Sequence, residues 1–188
     1  MGKIIGIYGG SFNPIHFGHK GIAKWVVENT FVDEVWLMVS PNNPLKDSKI
    51  LAPEQERLEQ AKEYVKDLDN VIVSDFEFNL PRPSYMARTL KELSKTYPDY
   101  QFVLIIGADN ISTFNKWKNY EYILKNYRIL VYPRKCEDDY SVLVSPDSNE
   151  NWIDICGYDE LYLWDAPWFN ISSTEIRNKE ITKLKNKL

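Results

Sequence analysis

Residues 3–20 read KIIGIYGGSFNPIHFGHK. The apolar run Lys3–Tyr8 ends in the pair Gly9–Gly10, and a helical pattern begins near Phe17–Gly18. A buried strand that passes through a glycine turn into a helix is the opening of a βαβ unit. The chain holds two histidines in all, His16 and His19, and both fall in this junction, three residues apart. Gly9 and Gly10 allow a close backbone approach that a side chain would block. Successive N–H groups in such a turn form an anion-binding concavity, and the free N–H groups and dipole of the following helix add to it. Two imidazoles on one side of a first helical turn can reach the same phosphate.

Outward from this junction the pattern repeats. Gly18–Thr30 reads as a helix with Ile22, Ala23, Val26 and Val27 on one face, and EVWLMV (Glu34–Val39) reads as a second buried strand. A polar loop with Pro41 and Pro44 leads to a helix opened by Pro53 and running to about Asp67. Asn70–Asp75, Tyr100–Gly107 and Tyr127–Tyr132 read as further strands, and Tyr85–Thr96 as a helix. Residues 134–151 read as a polar loop, Glu160–Asp165 as a last strand, and two short helices close the chain after Ile171. Continuous apolar strands alternating with helices imply an α/β fold: a Rossmann-like parallel sheet with helices on both faces and a small C-terminal helical appendage. No repeat or linker divides the chain, so residues 1–188 are expected to form a single domain. In such sheets ligands bind beyond the carboxyl ends of the strands, where the glycine junction falls.

Composition bounds the function. Of the 188 residues, 44% are hydrophobic and 27% charged, ordinary proportions for a globular protein. A net charge of −4 and a pI near 5.3 speak against a nucleic-acid partner or an anionic membrane, which call for a basic stripe. No signal peptide, lipidation motif or membrane-length apolar run is visible, and Cys136 and Cys156 match no metal-site spacing. The expectation is a cytoplasmic chain with reduced thiols.

No Lys-Ser/Thr pair follows the glycines, their spacing is not G-x-G-x-x-G, and the histidines lack H-E-x-x-H spacing. A second stretch fits the same kind of ligand, although taken alone it also reads as an ordinary helix-capping sequence. NISSTEIR (Asn170–Arg177) offers Ser172, Ser173 or Thr174 as a helix N-cap, Glu175 in the first turn and Arg177 one turn in. Hydroxyls, free helix N–H groups and a guanidinium together suit a polyphosphate.

GGSFNPIHFGH early and ISSTEIR late, in this order, resemble the HxGH and SSTxIR motifs of the nucleotidylyltransferase superfamily. Within it the chain resembles the nicotinate-nucleotide adenylyltransferase family over nearly its whole length. SPNNPLK, RPSYMARTLKEL and IIGADN…FNKWKNYEYIL match further family segments, with Leu45 where a His is usual and Arg88 where an Asp is usual. The resemblance implies transfer of AMP from ATP to nicotinate mononucleotide, with Mg²⁺ accompanying ATP and release of pyrophosphate. It implies His16, His19 and Arg177 as catalytic residues. Gly9, Gly10, Ser11, Phe12, Ile171, Ser173 and Thr174 are implied at ATP, and Lys46, Tyr85, Thr89, Asp109, Trp117 and Arg134 at the acceptor nucleotide. No protein side chain is assigned to a metal, and homo-oligomerisation is left open. The alternatives are a sister transferase for nicotinamide mononucleotide, phosphopantetheine or FMN, and a non-catalytic nucleotide-binding protein of the same fold.

Overall fold

The computed structural model describes residues 2–41, 51–132, 166–167, 169 and 171–185. Five strands form one sheet: β1 (Ile4–Gly10), β2 (Glu34–Val39), β3 (Val71–Ser74), β4 (Gln101–Gly107) and β5 (Arg128–Tyr132). Their order is β3-β2-β1-β4-β5 and every pairing is parallel. The strands are mainly apolar, with β-branched residues in each, and β2 is buried along its whole length. A parallel strand covered on both faces needs that continuous run. Alternate side chains divide between two cores. Tyr8, Val35, Leu37, Val103 and Ile105 pack with Ile22, Ala23 and Val26 of α1 (Phe17–Asn29) and with Leu58, Ala61 and Val65 of α2 (Glu54–Val65). Ile5, Ile7, Trp36, Met38 and Leu104 pack with Ala87, Leu90 and Leu93 of α3 (Met86–Thr96).

Two further helices, α4 (Ile111–Phe114) and α5 (Tyr120–Asn126), lie between β4 and β5, and the last helix is α6 (Ser173–Lys185). The two short helices expected after Ile171 are thus one continuous helix. No Gly or Pro interrupts residues 173–185, so nothing breaks it. Its start is fixed by a reciprocal capping box: Glu175 N–H donates to Ser172 Oγ and Ser172 N–H to Glu175 Oε2, both at 3.2 Å. The loop expected over 134–151, the strand expected at Glu160–Asp165, and Cys136 and Cys156 lie outside the described residues. Among the described residues no helix is long and apolar enough to cross a membrane.

Strand order reverses between β1 and β4, which opens a crevice at their carboxyl ends. β1 continues through both glycines, pairing Gly9 with Met38 and Gly10 with Val39. The turn therefore begins at Ser11, at the rim itself.

Candidate active site

The crevice is a cleft of about 570 Å³. Gly9, Gly10, Ser11, Phe12 and His19 border it on the β1 side, and Ile106, Gly107 and Asp109 on the β4 side. Trp117, Lys116 and Tyr85 close one end, and Ser172, Ser173, Thr174 and Arg177 border it from α6.

The first turn of α1 brings the histidines together as their spacing requires. Their rings stack with centroids 3.7 Å apart, and the backbone N–H of His16 donates to His19 Nδ1 at 3.2 Å. His16 is thereby the N-cap and His19 takes the place of the reciprocal capping side chain. An Nδ1 that accepts leaves the proton of a neutral imidazole on Nε2. The ring is held edge-on against Phe12 at 5.0 Å, with Tyr8 behind it at 6.0 Å. Tyr8 and Tyr132 join hydroxyls at 2.8 Å across the cleft wall. His16 is buried and lines, with Gly18, Phe169 and Ile171, a narrow crevice beside the main cleft. Gly18 packs closely there: a Cβ would stand 3.0 Å from Ile171 Cγ2 and 3.1 Å from His16 Nδ1, so these side chains would have to give by a few tenths of an ångström. Phe12 adopts φ 44°, a left-handed conformation that non-glycine residues seldom take.

α6 is tied to this turn. Ser173 Oγ donates to the carbonyl of Pro14 at 2.8 Å, and Arg177 Nη1 donates to the carbonyl of Asn13. Arg177 Nη2 reaches Thr174 Oγ1 at 3.0 Å. Because Ser172 serves as the cap, Ser173 and Thr174 are left to face the loop and cleft. The two motifs, separated by about 150 residues of sequence, form one wall.

At the opposite end Trp117 is half-buried, packed against Phe114 with centroids 5.0 Å apart, and Lys118 stands 4.8 Å above the Tyr85 ring. Thr89 is fully buried and does not border the cleft. Its hydroxyl donates to Glu77 Oε1 at 2.7 Å. Lys46 and Arg134 lie outside the described residues.

Besides Lys116 and Lys118, which border the cleft, two buried charged residues escaped the sequence reading. Glu77, 2% exposed, sits in a 3₁₀ turn (Phe76–Asn79) and its carboxyl borders the cleft. Burial pushes its pKa above the ordinary carboxylate value, while the hydroxyls of Thr89, Ser40 and Ser84 pull the other way. Four residues between prolines and aromatics give no periodic signal from which to find it. Arg57 is 1% exposed on the apolar face of α2 beside Leu58, Ala61 and Val65. A cation within a helix's apolar stripe was the available signal.

Among the described residues no three His, Cys, Asp or Glu side chains gather as a metal site. The cleft's lining combines hydroxyl and cationic donors, Lys116, Lys118 and Arg177 among them, with the aromatic rings of Trp117 and Tyr85.

The cytidylyltransferase-like family matches residues 7–179. A Flavobacterium johnsoniae protein named "Probable nicotinate-nucleotide adenylyltransferase" is 42% identical over 174 residues, covering 93% of this chain and 84% of that one. A Bacteroides thetaiotaomicron protein of the same name is 44% identical over 172 residues, covering 92% and 79%. The fold matches the Plasmodium falciparum nicotinic acid mononucleotide adenylyltransferase complexed with NaAD, at a TM-score of 0.71 and 20% identity over 94% of this chain and 83% of that one. With the paired histidines, the capped ISSTEIR helix and this extent of identity in view, the chain belongs to the cytidylyltransferase-like family and, within it, to the nicotinate-nucleotide adenylyltransferases.

Proposed function

We propose that the protein transfers AMP from MgATP to the 5′-phosphate of nicotinate mononucleotide, giving nicotinate adenine dinucleotide and pyrophosphate. The observation that carries this reading is that one cleft is bordered by His19, against whose ring His16 stacks, by the α6 residues Ser173, Thr174 and Arg177, and by Trp117. The acceptor phosphate is already an anion and needs no general base. One of its oxygens forms a bond to the α-phosphorus of ATP while the bond from that phosphorus to the β-phosphate bridging oxygen breaks, and the electron pair leaves with pyrophosphate. The protein's part is to hold two anions in line and to stabilise charge on the α-phosphate and leaving group.

His19, donating from Nε2, serves the α-phosphate, and His16 the neighbouring phosphate. Gly9, Gly10, Ser11 and Phe12 supply the loop and its N–H groups. Ser173, Thr174 and Arg177 hold the β- and γ-phosphates, and Ile171 borders the adenine. Trp117 stacks on the pyridine ring. Tyr85 and Asp109 border the acceptor, with Asp109 within reach of a ribose. Thr89 acts from behind, through Glu77. Lys46 and Arg134 are further cations for the substrates' anionic groups. Mg²⁺ enters as part of the substrate, carried by the phosphates of ATP.

The test is pyrophosphate release from MgATP with nicotinate mononucleotide, nicotinamide mononucleotide, phosphopantetheine and FMN offered singly, the product being identified by mass. Release dependent on the nicotinate nucleotide, with a dinucleotide product, is expected. Release with none of the four overturns the reading.

A further inference from the structure

Arg57 makes contacts that the reaction alone does not explain. Its guanidinium donates to four backbone carbonyls: Ala52 at 2.9 Å, Ser11 at 2.5 Å, Ser40 at 2.9 Å and Pro41 at 3.3 Å. Ser11 is the first residue after β1, and Ser40 the first after β2. Both border the cleft, while Arg57 does not. The guanidinium thus grips the rim from behind. In a trans peptide the carbonyl and the next N–H point in opposite directions. With the Ser11 carbonyl turned back to Arg57, the N–H of Phe12 is turned toward the cleft side, and Phe12 is the residue held at φ 44°. A left-handed residue in such a turn is what brings successive N–H groups to one side as an anion nest. From the other flank Arg177 takes the Asn13 carbonyl and Ser173 the Pro14 carbonyl. Three carbonyls of residues 11–14 are therefore drawn away by donors on α2 and α6.

We propose that Arg57 is a positioning residue for nucleotidyl transfer: its buried fork captures the Ser11 and Ser40 carbonyls and so aims the Ser11–Phe12 turn, N–H groups outward, at the phosphates of ATP. A lysine keeps the charge but has neither the planar geometry nor enough directed donors for four carbonyls on three segments. The proposal rests on the adenylyl-transfer reading for its kinetic test and only on anion binding for its spectroscopic one.

In Arg57→Lys the KM for MgATP is expected to rise roughly 10- to 100-fold, the scale for ångström-sized misplacement of a site group. The KM for nicotinate mononucleotide should rise less, since Trp117 and Tyr85 stand on segments that Arg57 does not hold, and Arg57 reaches the acceptor side only through Ser40 and Pro41. Leu58→Ala, next to it on α2, is the control: it should lower the thermal midpoint while leaving both KM values as in the wild type. An unchanged KM for MgATP in Arg57→Lys, or equal rises in both KM values, would overturn the proposal. The second measurement needs no variant. In the wild-type chain with ¹⁵N-labelled phenylalanine, the Phe12 amide resonance should shift on titration with inorganic pyrophosphate. A Phe12 resonance that does not respond while pyrophosphate binds contradicts the aimed turn, whatever the acceptor proves to be. If no acceptor supports turnover but the Phe12 amide responds, the functional reading fails and the aimed turn stands.

Discussion

His19 has separate work for its two nitrogens, and the division can be tested. Nδ1 closes the first turn of α1 by accepting from the N–H of His16, and the proposed role assigns Nε2 to the α-phosphate. In His19→Asn the amide oxygen can take the place of Nδ1, so the helix cap survives while the distal donor is lost. Turnover should fall by roughly two to three orders of magnitude, the scale for removing one preorganised donor, with the thermal midpoint unchanged. Near wild-type turnover would remove His19 from the chemistry. Glu77 carries the opposite kind of prediction, one about stability. Its folded pKa lies above the unfolded value of 4.5, chiefly because the carboxyl is buried. The folded state therefore holds the proton more tightly. The stability it contributes is complete below the unfolded value and is lost as pH rises through the folded value. Glu77→Gln keeps the shape and removes the titration. In urea unfolding from pH 4.5 upward, the wild-type midpoint should fall relative to that of the variant. Parallel pH profiles for the two would contradict the assignment.

Among the elements, α6 is the one whose function depends on what it docks against. Ser173 and Arg177 fasten its first turn to Asn13 and Pro14, so α6 delivers its donors to a cleft built by β1. Arg177→Ala should raise the KM for MgATP more than the KM for the acceptor. Arg177→Lys should recover only part of the loss, because an ammonium cannot reproduce the guanidinium fork. An unchanged KM for ATP in the Ala variant would reduce α6 to a capped helix. The elements also show what the sequence made legible. All five strands were readable because each carries a short apolar run bounded by polar or turn residues, including β3, whose Ile72 is 43% exposed. α1, α2 and α3 were readable from a Pro start or a one-sided apolar face. α4 and α5 were not: they span four and seven residues, and α5 starts at Asn119 in a left-handed conformation rather than at a recognisable cap. The cap of α6 was legible only as a choice among three hydroxyls, and the contact between Glu175 and Ser172 decides it. Arg57 and Glu77 matter through groups distant in the chain, the carbonyls of Ser11 and Ser40 and the hydroxyl of Thr89, and no local pattern carries that information.

For the whole molecule, the sheet sets the geometry on which the account depends. The reversal of strand order beside β1 opens a cleft bordered by the ends of β1 and β4, by α6 and by Trp117. The central claim is that this cleft joins ATP to an acceptor bearing a carboxylate. Backbone N–H donors near Trp117 would meet the carboxylate of nicotinate mononucleotide with charge-assisted hydrogen bonds. The NH₂ of the amide form would leave those donors unpaired, and sites of this kind discriminate by several orders of magnitude. The decisive measurement is kcat/KM for nicotinate mononucleotide and for nicotinamide mononucleotide at saturating MgATP. The account predicts a preference for the acid of at least about a hundredfold. Equal values, or a preference for the amide, would contradict it.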